Sequence, residues 1–125
     1  MEFKSLEIIK DLEKQIRTGY SLSIFKGYVA INKRGVEKLI DELYANLPED
    51  VKAARIYLQN KNQQINPNQP SKIFDNIKEF ETHIDSPFQI ATHIIVNVKE
   101  IEKLINKIYC SLPTEIKEAD ILDKQ

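Results

Sequence analysis

The side chains that could do chemistry are few and far apart. His83 and His93 are the only histidines, and Cys110 is the only cysteine. A zinc site needs three or four closely spaced nitrogen or sulfur ligands, and His83 with Asp85 supplies only a fragment of one. Cys110 has no histidine near it in sequence and follows Tyr109 on an apolar stripe, so we expect a half-buried, inert thiol. The sequence therefore predicts no metal site, no cofactor and no cysteine nucleophile.

Carboxylates form two small groups in helical stretches, at positions 41–42 and 100–102. General acid–base catalysis needs carboxyl groups held in contrasting environments, whereas these alternate with lysines as on a solvated helix face. The three glycines form no G-x-G phosphate loop. We therefore predict that the protein is not an enzyme. A small enzyme that uses His83 and His93 with carboxylates stays open as an alternative.

One segment combines aromatic and basic residues in the way that nucleic-acid-binding proteins do. Residues 25–35, FKGYVAINKRG, interleave aromatics with Lys26, Lys33 and Arg34. Stacking side chains with nearby cations can hold a single strand. The net charge of −1, however, gives no general attraction to a polyanion. A nucleic-acid-binding accessory protein is therefore a second alternative, which the overall charge disfavours.

The strongest pattern in the chain is an internal repeat. The phrase EKLIDELYANLPEDVKAA at residues 37–54 returns 65 positions later as EKLINKIYCSLPTEIKEA at residues 102–119. At this offset, 11 of the 28 pairs from Val29/Ile94 to Ile56/Ile121 are identical. Two copies are too few for a solenoid, which needs at least three stacked units. A tandem duplication that forms a pseudo-two-fold pair is the better interpretation.

Each copy begins with an amphipathic helix, a loop and a short strand. Apolar residues recur at three- and four-residue steps over residues 3–16 and again over residues 73–84. The β-branched segments YVAIN and HIIVNV then favour strands. We expect the strands at residues 27–32 and 92–98 to pair with each other, antiparallel, because neither can form a sheet alone.

A central helix follows each strand. Asn32 and Asn97 are well placed to cap it, since an asparagine side chain accepts hydrogen bonds from the free N–H groups of the first turn. The helix of each copy then carries a wide apolar stripe that must face a core. In the first copy the stripe is Val36, Leu39, Ile40, Leu43, Tyr44 and Leu47; in the second it is Ile101, Leu104, Ile105, Ile108, Tyr109 and Leu112.

Pro48 and Pro113 predict the end of each central helix and the start of a third one. The residue before a proline is pushed out of the helical region, and proline suits the first turn of a new helix. Each unit is thus expected to be helix–strand–helix–helix. Residues 1–58 form the first unit and 72–125 the second. Residues 59–71, rich in Gln, Asn and Pro, form a linker.

These elements predict a mostly helical α+β fold, with the two units packed as one compact domain around a short two-stranded sheet. The molecule is then a monomeric pseudo-dimer or a homodimer of such chains. The hydrophobic share of 42% with 30% charged residues is typical of a soluble globular protein. The chain has no apolar run of membrane-spanning length and no secretory signal at its start, so we expect no membrane association. With a single cysteine, a cytoplasmic location fits best.

The loops before the two strands differ most between the copies although they occupy equivalent places. They offer five candidate contacts for a protein partner: Tyr20, Phe25, Tyr28, Phe88 and His93. Divergent loops on a matched scaffold are where binding usually resides. The alternative is that Phe25 and Phe88 plug the open end of each unit.

The segments ELYANLPEDVKAA and KIYCSLPTEIKEA resemble a module at the front of small bacterial coiled-coil proteins. Those proteins are labelled ATP-synthase-subunit-b-like or cell-division-initiation (DivIVA-like). Here the module is doubled and the coiled coil that should follow is absent. The resemblance covers residues 29–58 and 94–121, and it implies an assembly role. Together with the repeat, it predicts a non-enzymatic protein-interaction or scaffold module.

Overall fold

The computed structural model describes residues 2–22, 24–63, 72–85 and 88–125. The helices are α1 (Lys4–Arg17), α2 (Lys33–Asn60), α3 (Ile73–Ile84), α4 (Val98–Cys110) and α5 (Thr114–Asp123). The strands are β1 (Tyr20–Ser21), β2 (Tyr28–Asn32), β3 (Gln89–Ile90) and β4 (His93–Asn97). The predicted mostly helical α+β class is therefore confirmed. Within the described ranges, none of the helices has both the length and the apolar character needed to cross a membrane.

The four strands form one antiparallel sheet in the order β1-β2-β4-β3. The expected antiparallel pairing of the two long strands is confirmed at its centre. The sheet is nevertheless four-stranded, so the prediction of two strands was too small. Each loop before a long strand turns back and adds a two-residue edge strand, which is too short to show periodicity in sequence.

The register of the central pair is symmetric about Ala30 and Ile95, which are equivalent positions of the two copies. Tyr28 lies opposite Asn97, and Asn32 lies opposite His93. Strand pairing thus relates the two central strands, β2 and β4, by a local two-fold operation. A two-fold relation between whole units stays a prediction.

Both asparagine caps form as expected. The Gly35 N–H donates to Asn32 Oδ1 at 2.8 Å, and the Glu100 N–H donates to Asn97 Oδ1 at 3.0 Å. Each cap fixes the point at which a strand becomes a helix. The two central helices therefore leave the sheet at opposite ends and fold back over the same face.

The core lies between this face of the sheet and the helices. Alternate strand residues point into it, namely Val29, Ile31, Ile94 and Val96. Helix α1 packs against both α2 and α4, α3 packs against α4, and α5 packs against α2. The contact between α2 and α3 is much smaller than that between α1 and α4. The helical layer is thus less symmetric than the strand pair.

Pro48 does not end the central helix of the first copy. Helix α2 continues through it to Asn60, whereas α4 ends at Cys110 and α5 starts after Pro113. The prediction of a third helix in the first unit is therefore wrong. A proline inside a helix costs about 3 kcal/mol through a lost hydrogen bond and a steric clash. The part of α2 beyond Pro48 offsets this cost by burying Ala54 and Leu58.

The apolar stripes face the core, with exceptions at their margins. Ile40, Leu43, Ile105 and Ile108 are almost completely buried. Leu39 and Tyr44 are only half-buried, and in the second copy Tyr109 is 43% exposed. The positions at the edge of a wide stripe depend on which neighbouring helix covers them.

The boundary at residue 58 falls inside α2, which ends at Asn60. Residues 64–71 of the predicted linker lie outside the described residues. Buried residues of both units belong to one hydrophobic cluster.

Tyr44 anchors the contact between α2 and α3. Its ring stacks on Phe74 with a centroid distance of 5.9 Å and an interplanar angle of 2°. Burial raises the pKa of the Tyr44 phenol to about 12, and a hydrogen bond to the Glu81 carboxylate and that group's negative charge add to the shift. The phenol therefore stays neutral in the folded protein well above the pH at which an ordinary tyrosine ionises.

We expect Tyr44→Phe to remove the phenolate absorbance change near pH 12 from a spectrophotometric titration of the folded protein. Tyr109→Phe, at the equivalent position of the second copy, should leave that change in place. Because the folded-state pKa is raised, the stabilisation is complete below about pH 10 and is lost as the pH rises towards about 12. Wild-type stability should therefore fall more steeply than that of Tyr44→Phe across this interval. Equal slopes would contradict the assignment.

Candidate interaction surface

The second face of the sheet points away from the helices. In an antiparallel sheet, residues that lie opposite each other share a face. Tyr20 lies opposite Ala30, and Ala30 lies opposite Ile95. The backbone N–H of Ile95 also donates to the Phe88 carbonyl at 3.2 Å. Tyr20, Ala30 and Ile95 therefore form a row across β1, β2 and β4, and Phe88, the residue before β3, extends it.

Two shorter rows flank this one. Tyr28 lies opposite Asn97 on one side, and His93 lies between Asn32 and Ile90 on the other. We call the surface made by these rows the outer sheet face, and we include in it the β1–β2 loop residues beside it. Its members are Tyr20, Ile24, Phe25, Tyr28, Ala30, Asn32, Phe88, Ile90, His93, Ile95 and Asn97.

Exposed apolar side chains are concentrated on this face. Among the described residues, ten large hydrophobic side chains are exposed, and six of them belong to the outer sheet face: Tyr20, Ile24, Phe25, Tyr28, Phe88 and Ile90. Their exposed fractions run from 39% at Tyr28 to 85% at Ile24. Single exposed apolar residues are ordinary on a protein surface, whereas a group on one face marks an interaction site.

The structure places all five sequence-predicted contact residues on the outer sheet face. The Tyr20 and His93 rings lie 5.9 Å apart between centroids, which brings the two copies together. Phe25 meets Tyr28 edge-on at 6.3 Å. Phe25 and Phe88 are 51% and 64% exposed, so the interpretation that they plug the ends of the units is wrong.

Sequence reasoning missed the aliphatic members of the face. Ile24, Ile90 and Ile95 were not among the predicted contacts. Ile95 could have been found from the strand alternation, because Ile94 and Val96 point into the core. Ile90 could not, since its strand has only two residues and its orientation follows from pairing with His93.

Two turns position the loop residues of the face. Gly27 has a φ of +82°, a left-handed conformation that glycine adopts without strain. The tight turn between β3 and β4 places Ala91 at a φ of +53°, where a side chain is strained. The Gln89 side-chain amide donates to the Ala91 carbonyl at 3.0 Å and supports this turn.

A cleft of about 740 Å³ lies beside the outer sheet face, between α3 and α4. Tyr28, Ile95 and Leu104 contribute to its lining, together with His83 from α3. The Lys107 ammonium and the Glu79 carboxylate, also in this lining, bind each other at 2.9 Å. His93 is not among the residues that line the cleft, so the two histidines of the enzyme alternative are not brought together there.

The basic residues near the first strand do not form a continuous cationic face. Lys33 lies 3.6 Å from the Asp85 carboxylate, which offsets its charge. Lys26, which precedes the strand in sequence, and Arg34, which follows it, are both exposed. For nucleic-acid binding, the surface therefore offers aromatic side chains that can stack on bases, but little concentrated positive charge to bind phosphates.

Four carboxylates lie close together between α2 and α3. Glu37, Asp41, Glu81 and Asp85 line a pocket of about 100 Å³ between α2 and α3. In the part of the chain that the structure describes, no three His, Cys, Asp or Glu side chains are arranged to hold a metal ion.

Cys110 is exposed, contrary to the half-buried environment expected from the sequence.

No protein-family model, curated protein or solved structure matches this chain. The resemblance to the front module of small coiled-coil proteins therefore stays a prediction.

Proposed function

We propose that this protein is a non-enzymatic interaction module that binds a protein partner through the outer sheet face. The observation that carries the proposal is the concentration of six exposed large hydrophobic side chains on one side of the sheet and in the β1–β2 loop beside it. Interfaces are enriched in aromatic residues at their centre and depleted of charge there. The central row of Tyr20, Ala30, Ile95 and Phe88 fits this description.

Part of the surface is held by the sheet. Tyr20, Tyr28 and His93 lie on paired strands, and the two central strands lead directly into capped helices. Tyrosine and phenylalanine offer large contact areas for few rotatable bonds. An assembly role also agrees with the resemblance of the repeated segments. A cytoplasmic location is part of this proposal, supported by the single cysteine.

Nucleic acid is the second candidate, because aromatic side chains on an open sheet can stack bases. The rings of Tyr20, Tyr28 and Phe88 are exposed to solvent and are therefore accessible to bases. The net charge of −1 and the pairing of Lys33 with Asp85 weigh against it. Binding of a single-stranded oligonucleotide with strong salt dependence would favour this candidate over a protein partner.

A double substitution on the face tests the proposal. We expect Tyr20→Ser/Tyr28→Ser to leave the melting temperature of the protein close to wild type, because both side chains are exposed. The same change should abolish recovery of the partners that a tagged wild-type protein captures from its native cells. Recovery is measured by quantitative mass spectrometry of the captured material.

Tyr109→Ser is the matched control, since Tyr109 is an exposed tyrosine outside the outer sheet face. It should leave partner recovery unchanged. Undiminished recovery with the double variant would show that the partner binds elsewhere. A collapsed melting temperature would show that the two tyrosines support the fold instead.

A further inference from the structure

We propose that the occupant of the outer sheet face is a second copy of this chain, bound face to face in a two-fold symmetric dimer. This inference deepens the proposed function and rests on it. It concerns the identity of the partner, which the exposed side chains alone do not give.

A sheet buries an apolar face by packing it against another element. An antiparallel sheet with one face in solvent normally carries polar residues there. Here that face carries aromatic and aliphatic side chains, while the strand residues buried beneath the helices lie on the opposite face. Two apolar sheet faces bury each other by packing about 10 Å apart. The described residues contain a single sheet, so a second sheet of matching character is available from another copy.

The area that the exposed side chains of this face can bury also suits a dimer. A fully exposed aromatic residue presents about 150–250 Å². At their exposed fractions of 71%, 51%, 39% and 64%, Tyr20, Phe25, Tyr28 and Phe88 together offer roughly 350–550 Å². Ile24 and Ile90, which are 85% and 64% exposed, enlarge this area. The patch thus approaches the roughly 800 Å² per partner that a stable interface of standard size buries.

The charge of the chain and of this face also permits two copies to associate. A net charge of −1 produces almost no repulsion between two copies, and it produces no attraction to a polyanion. The rows of the face contain no lysine, arginine or carboxylate, so two copies in contact would bury no ionised group from these rows. Lys26, in the β1–β2 loop, is exposed and would lie at the rim of such a contact. Burying an unpaired charge would oppose self-association, because removing an ion from water is costly.

Sedimentation equilibrium of the purified full chain tests the inference. Interfaces of standard size bind with dissociation constants from micromolar to picomolar, so we expect dimer to dominate at about 100 μM. The weight-average mass should approach twice the 14.5 kDa of the chain. Tyr20→Ser/Phe88→Ser should weaken the dimer at least about tenfold, because both aromatic residues lie in the central row.

Ile56→Ser/Ile121→Ser is the matched control, since both side chains are exposed but lie on α2 and α5, away from the sheet. It should leave the dissociation constant unchanged. A wild-type chain that is monomeric at about 100 μM overturns the inference. A dimer that the control variant weakens and the face variant leaves intact overturns it equally.

The outcome is separable from that of the proposed function. A monomer that still loses a captured partner with Tyr20→Ser/Tyr28→Ser rejects the second copy and keeps the face as a binding site for a different protein. A monomer that instead binds single-stranded oligonucleotide through the face rejects both proposals. Circular dichroism melts of each variant show that the fold is intact in every arm of the experiment.

Discussion

Leu43→Ala is expected to lower the free energy of unfolding by about 2–5 kcal/mol, the range measured for large-to-small substitutions in packed cores. Leu43 lies in the middle of α2 and is completely buried. The substitution removes apolar contacts and leaves a cavity that α2 and its neighbours close only partly. Urea denaturation followed by circular dichroism measures the loss.

The neighbouring residue supplies the control. Glu42 is exposed on the same turn of the helix, and Glu42→Ala should stay within about 0.5 kcal/mol of wild type. Equal losses at Leu43 and Glu42 would show that the buried face of α2 is a different one.

Leu104→Ala should lower the free energy of unfolding more than Leu39→Ala at the equivalent position, because Leu104 is 9% exposed whereas Leu39 is only half-buried.

The contrast between Leu39 and Leu104 shows how far a repeat in the sequence determines the structure. The periodicity predicted both central helices and most of their buried residues. This is because the apolar stripe of an amphipathic helix is the side that packs against the core. It could not predict the margins of the stripe. These depend on which helix lies alongside, and α1 covers α4 more extensively than α3 covers α2.

The two prolines also show that the same local sequence can have different structural outcomes. Pro48 and Pro113 follow leucine in matching phrases, yet the helix continues through one and ends before the other. In the second copy, Ser111 Oγ donates to the Ile108 carbonyl at 3.0 Å, and the Lys117 ammonium donates to the Cys110 carbonyl at 2.8 Å. These bonds satisfy carbonyl groups where α4 ends. The leucine–proline signal alone therefore does not decide between the two outcomes.

The candidate site was predictable in part. Comparison of the copies identified the divergent loops and their aromatic residues, but not that they would meet on one face. That meeting depends on the pairing of β2 with β4, which sets Tyr20 next to His93. The edge strands, which orient Tyr20 and Ile90, form only because the longer strands present free edges to them.

Asp50 is an unusual feature of the core, because it is a carboxylate that is only 8% exposed. It accepts a hydrogen bond from the Ser5 backbone N–H at 2.7 Å and a second one from the Ser5 hydroxyl. Ser5 lies in the first turn of α1, and the residue at the N-cap, Phe3, makes no side-chain cap bond. A residue of α2 therefore caps the start of α1, where the helix dipole also favours a negative charge.

Asp50→Ala is expected to destabilise the fold by about 2–4 kcal/mol, because two buried donors lose a charged acceptor and the helix loses its cap. Asp50→Asn, which keeps one carbonyl acceptor, should cost less. Glu49→Ala is the matched control: its side chain is 75% exposed and lies 3.8 Å from Lys52, a surface pair worth at most about 0.5 kcal/mol. In a double-mutant cycle with Ser5→Ala, the two losses should fall short of additive, since both remove the same hydrogen bond. Additive losses, or equal effects at Asp50 and Glu49, would show that Asp50 does not hold α1 to α2.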